Sequence, residues 1–209
     1  MREKRAAMGI QMHSGWGVLI AVSFPNPVEV LDRRRVIVID PAMRGAKQPY
    51  HHARTQLEEM NLEEAERYLE NCSATCEQLS MEAVEEAVVG VRGRGYQIVG
   101  SAILEGAGRP LPSLPQILAS HPLIHTAEGE FFSRSARKAC ERLNIPVTAI
   151  RRRDLEELAK TTLGRAAAQV KNTIGTLGKS IGPPWTADHK GAALAAVTLL
   201  AKNRSRHFV

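Results

Sequence analysis

The pattern of apolar residues in the first forty positions is typical of β-strands. Residues 7–12 and 16–24 predict the two strands of a hairpin around His13-Ser14-Gly15, and residues 28–39 predict a third strand. The second segment is rich in residues that favour strands, and the small residues between the first two segments permit a tight reversal. We therefore expect the chain to open with three sequential, antiparallel strands.

A long amphipathic helix is predicted next, because apolar residues recur at three- and four-residue spacing. Asn61 with Glu64 three positions later has the form of a helix N-terminal capping box. We expect a break at Ser80 and an end at Gly93. Residues 96–104 are a short apolar run, which predicts a buried central strand.

Helices and strands alternate in the second half of the chain. The pattern predicts a helix over 126–143, a strand over 147–150 and a helix over 154–170. A glycine-rich loop over 175–184 then precedes a last helix over 186–202. This order predicts an α/β fold with a mixed sheet of five strands.

Length and cysteine content indicate one intracellular domain. A chain of 209 residues is best explained as a single domain spanning 1–209, large enough to fold without disulfides. Cys72, Cys76 and Cys140 are an odd number without a C-x-x-C pair, which favours buried thiols in a reducing cytoplasm. No apolar run approaches the ~20 residues that span a bilayer, so we expect no membrane partner. The sequence does not indicate the oligomeric state.

The charge of the chain favours a polyanionic partner. Lys and Arg total 28 against 22 Asp and Glu, a formal net charge of +6. Such a surface attracts nucleic acid, and Arg151, Arg152 and Arg153 are candidate contacts. A solvated positive face without a specific partner is the alternative.

The segment that ends in Gly178-Lys179-Ser180 partly matches a phosphate-binding P-loop. The first glycine of that motif is replaced by Thr173, and the segment follows a helical pattern where the motif follows a strand. We therefore expect no true P-loop. Lys179 and Ser180 remain candidates for contacts to a phosphate of nucleic acid or nucleotide.

The densest group of metal-ligating residue types is His121, His125 and Glu128. On a helix, this spacing would place all three on one face, as a metal site requires. Because Pro122 is tolerated only in a first helical turn, we expect the group to straddle a turn. Metal binding, with His125 and Glu128 as ligands, and a polar capping network both remain open. We interpret the adjacent His51-His52 as surface residues.

The order of elements resembles the ribonuclease H-like superfamily, and most closely its branch of RuvC-type Holliday junction resolvases. The resemblance extends over nearly the whole chain as an order of elements. It implies carboxylates on the first strand, at the end of the fourth strand and on the last helix. It also implies that they bind Mg²⁺ or Mn²⁺, which activate water for phosphodiester hydrolysis.

Only part of the expected carboxylate set is present. Glu105 matches the end of the fourth strand, with an ion pair to an arginine as the alternative role. The first strand offers Gln11 and His13 in place of an aspartate. On the last helix, Asp188 and Gly191 stand at the positions of the family's histidine and aspartate. Asp188 is explained equally by the helix dipole, which favours an acidic first turn.

These observations lead to three functional hypotheses. The first is a domain that binds nucleic acid, and cleaves it with a divalent metal if Glu105, Asp188 and His13 share one cleft. The second is a non-catalytic scaffold or interaction protein that kept the fold without the carboxylates. The third is a phosphotransferase of the actin-like branch, which is disfavoured because the first hairpin lacks that branch's aspartate.

Overall fold

Five strands form one mixed sheet in the order β3-β2-β1-β4-β5. We describe a computed structural model that covers residues 4–24, 27–56, 61–106 and 110–205. Neighbouring strands are antiparallel from β1 to β3, whereas β4 and β5 run parallel to β1. The strands are β1 (Lys4–His13), β2 (Trp16–Ser23), β3 (Glu29–Ile37), β4 (Tyr96–Glu105) and β5 (Val147–Arg151). The predicted α/β fold class and the five strands are confirmed.

Helices cover both faces of the sheet. The helices are α1 (Pro49–Thr55), α2 (Leu62–Gly93), α3 (Leu114–Leu118), α4 (His121–Arg142), α5 (Leu155–Leu163), α6 (Ala167–Thr176), α7 (Gly178–Ile181) and α8 (Ala187–Ser205). The first four pack on one face, and α5, α6 and α8 pack on the other. None of the helices in the described ranges is both long enough and apolar enough to cross a membrane.

Strand alternation divides β1 between the two helical layers. Ala6, Met8 and Ile10 join the core beneath α2 and α4, whereas Ala7 joins the core beneath α8. A Cβ atom on Gly9 would overlap the backbone carbonyl of Ala192, so α8 lies directly on the middle of β1. The same alternation turns Gln11 toward α8.

The predicted break at Ser80 is wrong, because α2 is continuous from Leu62 to Gly93. Ser80 is buried, and its hydroxyl hydrogen-bonds the Ser135 hydroxyl of α4 at 2.9 Å. The serine therefore serves the packing of two helices. The capping box of Asn61 and Glu64 is confirmed, since each side chain bonds the backbone N–H of the other residue.

Two other helical predictions need correction. The turn predicted around His121 is in fact the start of α4. Pro122 is tolerated there because a residue in the first helical turn needs no N–H for a hydrogen bond within the helix. The single helix predicted over 154–170 is two helices, interrupted at Gly164, whose φ is +55°. Residues 175–184, predicted as a loop, contain the end of α6 and the short α7.

Candidate functional site

Asp188, in the first turn of α8, is the centre of a polar constellation at the end of β1. Its Oδ1 accepts hydrogen bonds from Gln11 Nε2 and from Arg152 Nη2, the latter at 2.7 Å. Its Oδ2 lies 3.1 Å from His13 Nε2. The carboxylate of Asp188 is therefore occupied by three neighbouring side chains.

The start of α8 is held by its own histidine. His189 Nδ1 lies 2.7 Å from the Thr186 hydroxyl and accepts a weaker bond from the Thr186 N–H at 3.3 Å. Burial, with a smaller contribution from the nearby Arg33, lowers the pKa of His189. In a neutral ring, Nδ1 can act as a hydrogen-bond acceptor. Its bonds to Thr186 fix the helical turn that carries Asp188.

Glu105 does not join this constellation. It is 8% exposed and pairs with Arg137 of α4, whose Nη2 donates to Glu105 Oε1. Leu104 belongs to the core beneath α8, so alternation turns the next residue to the opposite face of the sheet. The expectation that Glu105 shares a cleft with His13 and Asp188 is therefore wrong. The arginine pair was the alternative considered for this residue.

An aromatic and cationic stack extends from the constellation toward the edge of the sheet. The rings of His13 and Trp16 are stacked with 4.5 Å between their centroids. On the same indole, the Arg35 guanidinium carbon lies 4.3 Å from the ring centroid. Arg35, Trp16, His13, Asp188 and Arg152 thus form one continuous series of contacts.

The predicted phosphate contacts lie in two exposed segments. Arg151 and Arg153 both pair with Asp154, at 2.6 and 3.6 Å, and Arg152 reaches Asp188. Lys179 and Ser180 lie on α7, where the Ser180 hydroxyl donates to the Leu177 carbonyl at 2.9 Å. As expected, this segment is not a P-loop, because it is helical and follows a helix.

Arg33 anchors the loop after α7, a role that the sequence did not indicate. Its guanidinium donates to the carbonyls of Ile181, Gly182 and Pro184 at 2.7 to 3.3 Å. Arg33 and Arg35 are on the same face of β3, so the loop after α7 is held against the face of β3 that carries Arg35.

A second polar group lies where α1 meets α4. His51, His121 and His125 each offer a ring nitrogen, and these atoms lie within 4.8 Å of one another, so the three could hold a metal ion. Glu128 is buried beside them, 3.2 Å from His51 Nδ1. His51, interpreted from the sequence as a surface residue, is half-buried, and its contacts with Glu128 and the other two histidines were not predicted. The surroundings of His51 depend on how α1 docks on α4, and the spacing of residues along the chain does not reveal that contact.

A solved structure with the same architecture identifies the fold. Thermus thermophilus RuvC in complex with Holliday junction substrate aligns over 96% of each chain with a TM-score of 0.52 and 14% identity. A second structure of Thermus thermophilus RuvC aligns over 96% of each chain with a TM-score of 0.48 and 13% identity. This chain has a ribonuclease H-like fold of the RuvC type. No protein-family model matches the chain, and a comparison with curated proteins found no match.

The donor set of this RuvC-type fold does not fit the metal pair that the resemblance implies. Mg²⁺ requires hard oxygen ligands, usually carboxylates and water. On the α8 side of the end of β1, the described residues provide the carboxylate of Asp188 beside the neutral amide of Gln11 and the ring of His13. Glu105 lies on the other face of the sheet. We therefore derive no step through a magnesium or manganese pair.

Proposed function

We propose that this protein binds nucleic acid and does not cleave it through carboxylate-held metal ions. The binding surface is the basic edge, which we define as Arg35, Trp16, Arg152 and Lys179. The observation that carries the proposal is the series of contacts from Arg35 through Trp16, His13 and Asp188 to Arg152. It joins cations from β3 and from the short turn before α5 into one surface.

Charge compensation within the basic edge supports a polyanionic ligand. Arg35 and Lys179 are exposed and have no acidic partner within the described ranges. The carboxylate of Asp188, which belongs to the same series of contacts, has its oxygens taken by Gln11, His13 and Arg152. The basic edge therefore presents net positive charge to solvent, and phosphates are the matching groups.

The contacts that cover the Trp16 ring indicate which part of the nucleic acid would be bound. One face of its indole is covered by His13 and a cation, Arg35, lies over the ring. A covered ring is not a platform for stacking bases. We therefore expect phosphate contacts, which tolerate many sequences, and the complex of the RuvC neighbour with a Holliday junction substrate makes branched DNA the first ligand to test.

Fluorescence anisotropy with labelled duplex and four-way DNA tests the proposal. We expect Arg35→Gln and Lys179→Gln each to weaken binding and to reduce the slope of log affinity against log salt by about 1. Arg67→Gln is the matched control, since Arg67 is exposed on α2 and pairs with Glu63 at 2.7 Å. The proposal is overturned if wild type does not bind, or if all three variants bind alike.

The metal-dependent nuclease remains a prediction with a distinct outcome. It requires cleavage of DNA or RNA that depends on Mg²⁺ or Mn²⁺ and is lost in Glu105→Gln and in Asp188→Asn. The observation against it is the replacement of the first-strand carboxylate by Gln11, whose amide donates to Asp188. A protein that binds DNA without cutting it corresponds to the scaffold hypothesis.

A further inference from the structure

The three histidines at the junction of α1 and α4, here named the histidine cluster, form a compact group. They are His51 on α1 and His121 and His125 on α4, and their nearest ring nitrogens lie within 4.8 Å of one another. Three nitrogens bound to one ion at 2.0–2.1 Å would be roughly 3.3 Å apart in tetrahedral geometry. Side-chain rotation alone can close that difference, because His121 and His125 are exposed.

The backbone already places the three histidines together. His121 and His125 are four residues apart in the first two turns of α4, so they project from the same face of the helix. Two contacts fix α1, which carries His51, against α3 and α4. The Tyr50 ring packs edge-on against Phe131 with centroids 6.0 Å apart, and Arg54 Nη1 donates to the Leu118 carbonyl at 2.8 Å.

Glu128 connects α4 to the backbone that carries His51. Its buried carboxylate accepts hydrogen bonds from the N–H groups of Tyr50 and His51 at 3.0 and 3.1 Å. The same oxygen lies 3.2 Å from His51 Nδ1. That nitrogen is buried and has no hydrogen bond of good geometry, although an acceptor is within reach. A small rotation of the ring would complete the bond.

A carboxylate behind a ligating histidine is the usual support of a metal site. It holds the proton on one ring nitrogen and leaves the other free for the metal. With Glu128 at Nδ1, the free nitrogen of His51 is Nε2. The histidine cluster therefore has both the ligands and the group that orients one of them.

The chemistry of the donors selects the class of ion. Imidazole nitrogens suit Zn²⁺ and neighbouring transition metals, whereas Mg²⁺ prefers carboxylate and water oxygens. Three protein ligands leave a fourth tetrahedral position for water or another small molecule. His125 and Glu128 also line a cleft of about 180 Å³ together with His13 and Ser14, so a small molecule could approach the cluster from that side.

We propose that the histidine cluster binds one divalent transition-metal ion of the zinc class, with Glu128 as a positioning residue for His51. The histidine cluster shares no residue with the basic edge, although His13 lines a cleft with His125 and Glu128, and the metal site does not depend on the proposed nucleic-acid binding. The ion would link α1 to α4, and since it binds only the folded chain it would also stabilise the protein.

Metal titration of the full chain, stripped with a chelator, tests the proposal. We expect one Zn²⁺ per chain by calorimetry and elemental analysis, a four-coordinate visible spectrum with Co²⁺, and no competition from Mg²⁺. Glu128→Gln should weaken zinc binding by about 10- to 100-fold. His125→Ala should weaken it further, because a ligand itself is lost.

His52→Ala is the matched control, since His52 neighbours His51 but packs against Tyr68 with 5.0 Å between ring centroids. It should bind zinc like the wild type. The zinc-dependent rise in melting temperature should be present in His52→Ala and absent in His125→Ala, which also checks that the variants fold. Equal zinc affinity in wild type and His125→Ala, or no stoichiometric binding to the wild type, overturns the proposal.

Discussion

Asp188 of the last helix and His13 of the first strand meet side chain to side chain, with 3.1 Å between Asp188 Oδ2 and His13 Nε2. The last helix and the first strand thus contribute to one polar constellation, as the resemblance to the ribonuclease H-like superfamily requires. The groups at that place are an amide, an imidazole and one carboxylate. These groups are held together by hydrogen bonds and ion pairs to the Asp188 carboxylate.

Glu105 is expected to act in stability. Glu105→Gln removes the charge that pairs with the half-buried Arg137, and we expect a loss of about 1–3 kcal/mol in the free energy of unfolding. Denaturant titration measures this loss, and a double-mutant cycle with Arg137→Met should show that the two effects are not additive. Unchanged stability in Glu105→Gln would contradict this role.

Two glycines on facing elements should respond in opposite ways to alanine. Gly9→Ala places a Cβ against the Ala192 carbonyl, so we expect a loss of at least about 3 kcal/mol or failure to fold. A Cβ at Gly191 would be 3.5 Å from Gln11 Oε1 and Leu104 Cδ1, which is ordinary contact. Gly191→Ala should therefore stabilise α8 by about 0.5–1 kcal/mol.

Thermal unfolding of the two glycine variants measures both effects. The pair is informative because both substitutions add one methyl group at the interface of β1 and α8. A Gly9→Ala protein as stable as the wild type would contradict the close approach of the helix backbone to the strand.

The buried cysteines should be unreactive in the folded protein. Burial raises the pKa of Cys76 to about 11 and that of Cys140 to about 11. Their thiolate fractions are therefore small at pH 8, and only the thiolate reacts with iodoacetamide. Mass spectrometry should find both unmodified in native protein and rapidly alkylated in urea. Labelling of native Cys140 at the rate of the unfolded chain would contradict its burial.

The existence of the five strands and of the main helices could be predicted, because apolar periodicity is a local property of the sequence, whereas the continuity of α2 and the interruption at Gly164 could not. The capping box at Asn61 and the buried cysteines of α2 follow from spacing along one helix. The face to which Glu105 points could not be predicted, because a change of one residue at the end of a strand reverses it. His51 was missed for a related reason. Its partners are about 70 residues away, and only the docking of α1 on α4 brings them together.

The basic edge likewise depends on tertiary contacts. Arg33 and Arg35 alternate along β3 on the face that packs against the α8 layer. The groups that they contact, the Gly182 carbonyl and the Trp16 ring, belong to other parts of the fold. Net charge indicated a polyanionic partner without locating the surface. The contacts of Trp16 and Arg152 are the basis on which we propose that location.

The central claim is that nucleic acid binds without being cleaved at the Asp188 constellation. The most direct measurement follows one sample of labelled four-way DNA with the full chain and Mn²⁺, by anisotropy for binding and by denaturing gel for strand integrity. We predict a bound and intact substrate, with Asp188→Asn giving the same intact strands. Strand cleavage by the wild type that disappears in Asp188→Asn would contradict the account.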